Sequence, residues 1–211
     1  YVSVKEGRVE ITARSEVANY YLPWNRMEAK MVEAEIFDSK MQKTQVRADV
    51  GYFHFGPRQL HLSQNVSSLS PDGFQMRTQE AIYNLITKRM VADAPVEGET
   101  ADGQVRIWGD KAEGSTEDNV VDIIGNARSE FTEKRRGLTK VRGDRARLER
   151  GKGQVTFRDH VRVDQKNTVG TSQLAHLFYD RTAKNVRYMS MLDDVKIQEG
   201  ERHTRSQVAE F

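Results

Sequence analysis

The segment TQEAIY at Thr78–Tyr83 decides the fold, because variants of it return along the chain. GDKAEG (Gly109–Gly114), GDRARL (Gly143–Leu148), TSQLAHLFY (Thr171–Tyr179) and SQVAEF (Ser206–Phe211) share its plan. Each has a small or polar residue, two or three variable positions, then alanine; VRADVGYF (Val46–Phe53) is a looser copy. The alanines Ala48, Ala81, Ala112, Ala146, Ala175 and Ala209 stand 33, 31, 34, 29 and 34 residues apart, with Ala18 a further 30 upstream. A second series interleaves with the first: QNVSS (Gln64–Ser68), APVEG (Ala94–Gly98), GNARS (Gly125–Ser129), DHVRV (Asp159–Val163) and DDVKI (Asp193–Ile197). Its centres, Val66, Val96, Ala127, Val161 and Val195, are 30, 31, 34 and 34 residues apart. Two interleaved series with one period mark a repeat architecture, in which no single unit buries its apolar face alone.

The local period is two. Leu60, Leu62 and Val66 share a parity, as do Phe74 and Met76, Val105 and Ile107, Val121 and Ile123, Val155 and Phe157, Val161 and Val163, and Val195 and Ile197. Such alternation sets one face against an apolar interior and the other toward water, so the chain reads as all-β. Asp72-Gly73 is a turn signal. Glu80–Met90 (EAIYNLITKRM) also fits a helical face, but its repeat copies carry glycine or arginine where a helix needs apolar residues. Strand, turn, strand is the reading there. Arg26–Ile36 contains good helix formers in MEAKMVEAEI and stays open between helix and strand. The Gly, Thr or Ser before each alanine predicts a corner that changes the inward parity, with Gly109 and Gly143 tolerating its dihedrals. The alanine then either fits where two walls approach closely or faces outward.

The 211 residues suffice for one or two domains, and 37% hydrophobic with 30% charged composition describes a folded chain with much polar surface. Without cysteine there is no disulfide, thiolate metal site or cysteine nucleophile. No apolar run approaches the 18 residues of a spanning helix. The chain opens at Tyr1 rather than methionine, which predicts a processed or trimmed product and leaves open a removed signal or anchor. The five histidines show no HExxH or tight zinc spacing; His54 and His61 are within reach across a hairpin but read as sheet-surface or satisfied interior side chains. No GxSxG elbow occurs, and Gly151–Gly153 (GKG) lacks P-loop spacing. No catalytic residue, metal or cofactor is assigned. From Lys134 to Lys152, nine Lys/Arg face two acids, a net of +7 that leaves −5 on the rest. That patch suits phosphates or a solvated strand pair; without an aromatic inside it, nucleic-acid stacking is disfavoured.

DGFQMRTQEAIYN (Asp72–Asn84), VRIWGDKAEG (Val105–Gly114), VVDIIGNARSEF (Val120–Phe131), VRGDRARLE (Val141–Glu149), VTFRDHVRV (Val155–Val163) and LAHLFYD (Leu174–Asp180) together resemble the periplasmic lipopolysaccharide-transport bridge family, the LptA/LptC/OstA-like proteins. The likeness covers most of Ala48–Phe211 and weakens toward the N-terminus. It implies one extended, folded-over β-jellyroll over residues 1–211, open along one side. Residues 1–98 resemble the single-pass inner-membrane component, continuing into repeats over 99–211 closer to the soluble bridge.

By resemblance the chain is a non-enzymatic carrier of lipopolysaccharide or a related glycolipid, in the periplasm and tethered by an N-terminal segment outside this sequence. The implied trough would be lined by Leu60, Leu62, Phe74, Met76, Val105, Ile107, Val121, Ile123, Val155, Phe157, Val161, Val163, Val195 and Ile197. Arg135, Arg136, Arg142, Arg145 and Arg147 would meet headgroup phosphates. Implied partners are other bridge components through strand-edge pairing, an inner-membrane transporter complex and a second copy head to tail, with no nucleic acid. The competing reading is a β-solenoid scaffold or adhesin with a closed core.

Overall fold

A computed structural model describes residues 1–101, 103, 105–133, 137–179 and 186–210. Among them run seventeen strands. β1 (Val2–Lys5), β2 (Arg8–Arg14) and β3 (Val17–Tyr21) precede a 3-10 turn at Leu22–Trp24. β4 (Arg26–Phe37), β5 (Lys43–His54), β6 (Gln59–Leu69) and β7 (Gln75–Asn84) are long; β8 (Arg89–Ala92), β9 (Val96–Glu99), β10 (Val105–Gly109) and β11 (Lys111–Ser115) are short. β12 (Val120–Glu133), β13 (Gly137–Glu149), β14 (Gln154–Gln165), β15 (Thr168–Tyr179), β16 (Val186–Glu199) and β17 (Arg202–Glu210) complete the chain. Two compact units result: residues 1–101 with 111–119, and residues 102–110 with 120–211.

In unit 1 the long strands are each shared by two walls. The first half of β4 pairs with β3 (Val17↔Lys30 to Tyr21↔Arg26), and its second half pairs with β2 (Ile11↔Ile36 to Arg14↔Glu33). Between the halves Met31 is left-handed at φ 53°, and the buried positions step from Ala29 to Val32, Ala34 and Ile36. The good helix formers of Arg26–Ile36 thus lie in a strand bent once, where tertiary pairing overrides a weak local preference. β7 repeats the arrangement, pairing with β9 through Gln75–Arg77 and with β8 through Ile82–Asn84. Glu80–Met90 is the strand, turn and strand that its repeat copies predicted.

In unit 2, β12 to β17 pair antiparallel in chain order, and β10 lies along β12 (Val105↔Phe131 to Trp108↔Arg128). The corner falls on the second sequence series. Gly125-Asn126, Asp159-His160 and Asp193-Asp194 are consecutive left-handed pairs, as is Gln64-Asn65 in unit 1. Each pair stands just before its series centre, so Ala127, Val161, Val195 and Val66 begin the second wall. Opposite Gly125-Asn126, β13 supplies a single unpaired residue, Asp144, which defines a bulge that bends the strand.

The dihedral burden therefore lies on this series rather than on Gly109 and Gly143, whose φ values are negative or extended. Close approach explains those glycines. A Cβ on Gly109 would sit 2.2 Å from Ile123 Cγ2, and one on Gly143 would sit 3.1 Å from the Arg158 carbonyl oxygen. The inward parity does switch at these corners, from Val141 to Ala146 and Leu148 in β13.

Ala48, Ala81, Ala112, Ala146 and Ala175 of the alanine series are buried as spacers, whereas Ala209 is half-buried and Ala18 exposed. One cross-strand row reads Ile123↔Ala146↔Phe157↔Ala175↔Met191↔Ala209, large and small in alternation. A methyl beside each bulky side chain lets the row interdigitate without strain. Phe157 and Met191 are fully buried there, a burial that contributes roughly 2–3 kcal/mol per side chain. In unit 1 the matching row is Ala29↔Gly51↔Leu62↔Ala81.

Candidate functional site: an apolar lane and its mouth

Alternation placed fourteen side chains inside. Leu60, Leu62, Phe74, Val105, Ile107, Val121, Ile123, Val155, Phe157, Val161, Val163 and Val195 are buried, and Met76 and Ile197 are half-buried. Sequence reasoning did not name the residues that face them from the parity-switching strands: Val46 and Phe53 of β5, Tyr83 of β7, Leu148 of β13, Leu177 of β15. A uniform period of two cannot cross a corner. The usable signal was the change from Val46 and Ala48 to Gly51 and Phe53, one step out of phase.

Within unit 1 a cavity of about 70 Å³ lies among Ile11, Met27, Ala29, Val32, Phe53 and Leu60. The Tyr1 ring lies 4.7 Å from that of Phe53 and 5.9 Å from that of Phe55.

The far ends of the walls, away from the corner, are joined by polar contacts. Glu10 of β2, in the second wall, accepts from Lys88 Nζ at 2.8 Å and from Arg58 Nη2; both donors sit in turns at the end of the first wall. Arg58 Nη2 also donates to Ser3 Oγ at 3.0 Å. Burial pushes the Glu10 carboxyl up, but Lys88 and Arg58 outweigh it and hold the group below the usual carboxylate range. Nearby, the Ser39 N–H donates to both Glu117 oxygens at 3.1 Å, joining the turn after β4 to the turn after β11. Tyr83 lies beneath, its hydroxyl 3.4 Å from Thr116 Oγ1; burial pushes its pKa up to about 12.

The basic candidates lie elsewhere. Arg142, Arg145 and Arg147 are exposed on the outer face of β13, and Arg147 donates to Asp122 at 3.2 Å. Arg142 stands in register between Arg128 and Arg162, and Arg145 stands opposite Arg158. Arg135 and Arg136 fall outside the described residues. His54 and His61 do meet across the β5–β6 hairpin, with ring centroids 4.9 Å apart. Burial and the neighbouring His54 hold His61 below the ordinary imidazole value. Among the described residues no three His, Cys, Asp or Glu side chains converge on one point. No described helix is long and apolar enough to cross a membrane.

A family model described as lipopolysaccharide-assembly, LptC-related, matches residues 3–133. Among solved structures, the chain is similar to LptH of Pseudomonas aeruginosa, described as the LptA homologous periplasmic component of the conserved lipopolysaccharide transport device. That likeness has 17% identity and a TM-score of 0.47, over 65% of this chain and 93% of that one. No curated protein matches.

Proposed function

Since the chain belongs to the LptC-related lipopolysaccharide-assembly family, we propose that it carries lipopolysaccharide, or a related glycolipid, by taking its acyl chains between the walls of each unit. The reading is supported chiefly by the inward lane of aliphatic and aromatic side chains, repeated rung after rung. Hiding each CH₂ from water is worth about 0.8 kcal/mol, and a lane made chiefly of apolar side chains supplies this burial for any saturated chain. Leu60, Leu62, Phe74, Met76, Val105, Ile107, Val121, Ile123, Val155, Phe157, Val161, Val163, Val195 and Ile197 are the contact residues in this reading. The cargo undergoes no bond change. A separate ATP-driven transporter supplies the energy, and the chain acts as a non-enzymatic bridge in the periplasm.

Residues 1–98 act as the portion of anchored type, and residues 99–211 as the portion of bridge type. Neighbouring bridge components, or a second copy, add strands at the ends. Among the described residues β17 is paired on one side only, with β16, and its side chains are mostly exposed. An unpaired row of backbone donors and acceptors is a template for β-augmentation.

Photo-crosslinking in native membranes tests the carrier reading. A photoreactive residue replacing Ile107 or Phe157, both buried, is expected to capture lipid, and one replacing the outward Arg106 is not. Equal labelling at all three positions, or none, would favour the closed scaffold.

A further inference from the structure

At the mouth of unit 1 two cations converge on one carboxylate. Lys88 takes Glu10 Oε1 and Arg58 takes Oε2, so both oxygens are occupied. Side-chain exposure is 8% for Glu10, 19% for Lys88 and 33% for Arg58. The cations therefore lie on the solvent side of the acid.

Their backbones are fixed within the first wall. Leu85 N–H donates to the Arg58 carbonyl at 3.0 Å, and Thr116 N–H donates to the Lys88 carbonyl at 3.1 Å. Glu10 and Ser3 come from the other wall, on β2 and β1. The contact is thus a clasp whose basic half belongs to one wall and whose acidic half belongs to the other.

A guanidinium and an ammonium aimed at one point make an anion site, and Arg pairs well with phosphate as well as with carboxylate. Glu10 fills that site with a single charge. A phosphate monoester brings nearly two charges and three acceptor oxygens, so it can satisfy both cations in Glu10's place. Parting the walls without a substitute gives up both ion pairs to water with nothing in their place. Parting them with a phosphate in place keeps both cations paired and leaves the Glu10 carboxylate to water on the opposite wall.

We propose that Arg58 and Lys88 form a phosphate-ester site at the mouth of unit 1, and that a headgroup phosphate of the cargo displaces the Glu10 carboxylate as the walls open. The site rests on the carrier reading above.

The test uses the full chain, with diphosphoryl lipid A and the same lipid stripped of both phosphates. The intact protein is expected to bind the phosphorylated lipid about tenfold more tightly. Arg58→Gln combined with Lys88→Gln should abolish that preference, read as the ratio of the two lipids' affinities in the same variant. Glu10→Gln should enlarge it. In the unmodified protein, the Arg58 side-chain N–H resonances should move with the phosphorylated lipid only, which decides the matter even where a variant fails to fold. Equal binding of the two lipids by the unmodified protein overturns this site and leaves the carrier reading intact. Binding of neither overturns the carrier reading itself. Pyrophosphate binding as tightly as the phosphorylated lipid overturns the headgroup assignment in favour of a soluble phosphate.

Discussion

In unit 2 the corner is turned three times by one device, the left-handed pairs Gly125-Asn126, Asp159-His160 and Asp193-Asp194; unit 1 turns it in three different ways. There Met31 acts alone in β4, Gln64-Asn65 form a pair in β6, and the strand is interrupted between β8 and β9, where Pro95 has no N–H to donate. Side chains close the corner alike in both units. Asn65 Nδ2 donates to Asp49 and Asn126 Nδ2 to Asp110, each at 2.7 Å, and His160 Nδ1 meets Asp144 at 2.8 Å; every pair is sixteen residues apart. An amide and an imidazole are interchangeable there. The requirement is therefore mainly one of backbone, a left-handed pair facing a small residue, and the side-chain bond is secondary. Unit 1 adds a buried carboxylate with two cations at its mouth.

If unit 2 is held mainly by its large-small row, Phe157→Ala should cost about 4 kcal/mol, read by urea denaturation. A loss below about 1 kcal/mol would mean that the row is loosely packed. If unit 1 is held partly by charge, Glu10→Ala should cost about 3 kcal/mol by leaving Arg58 and Lys88 unpaired. Hydrogen exchange should then rise in β1 and β2 before it rises in β14; the reverse order would detach the clasp from unit 1's stability.

Close approach at the corner predicts a penalty of about 2 kcal/mol for Gly109→Ala. Gly151→Ala, whose Cβ would meet nothing within 4 Å, should change the melting temperature little. For the backbone itself, Asn126→Ala is expected to cost about 1 kcal/mol and Asn126→Gly almost nothing, since left-handed dihedrals suit glycine. Equal losses would transfer the role to the Asn126 side chain.

The smallest effect is on pH dependence, and it has opposite signs in the two units. The bond to Asp144 raises the His160 pKa, so its contribution is full below the unfolded value near 6.5 and is lost as pH rises through the higher folded value. Burial, then His54, lowers that of His61; its contribution is full above 6.5 and is lost as pH falls through the lower folded value. NMR titration should show His160 moving down in Asp144→Asn, with His61 unchanged. A His160 that titrates identically in both proteins would leave the Asp144 bond without effect.

Much of this could be read from residue order. Twelve of the fourteen positions chosen by alternation are buried, because a strand with one wet face must place apolar residues two apart. The β4 assignment was beyond that reading. Met31 shifts the apolar phase by one residue, and the resulting spacing of Met27, Met31 and Val32 imitates a helix as well as a bent strand. Glu10, Arg58 and Lys88 were equally invisible, since charged residues 48 and 78 positions apart carry no joint signal.

The sequence by itself determined the repeat of about 30 residues, the inward faces and, through its ordered motifs, the family. It did not mark the left-handed pairs, since the expected corner stood before each alanine whereas those pairs fall in GNARS, DHVRV and DDVKI. Tertiary structure alone decided what the alanines are for and what joins the walls. Ala146 and Ala175 are small because Phe157 stands between them on the neighbouring strand. Glu10 is a clasp because folding over brings the far end of β2 against the turns after β5 and β7. Local pattern records which way a side chain faces; only the pairing of distant strands settles what it meets there.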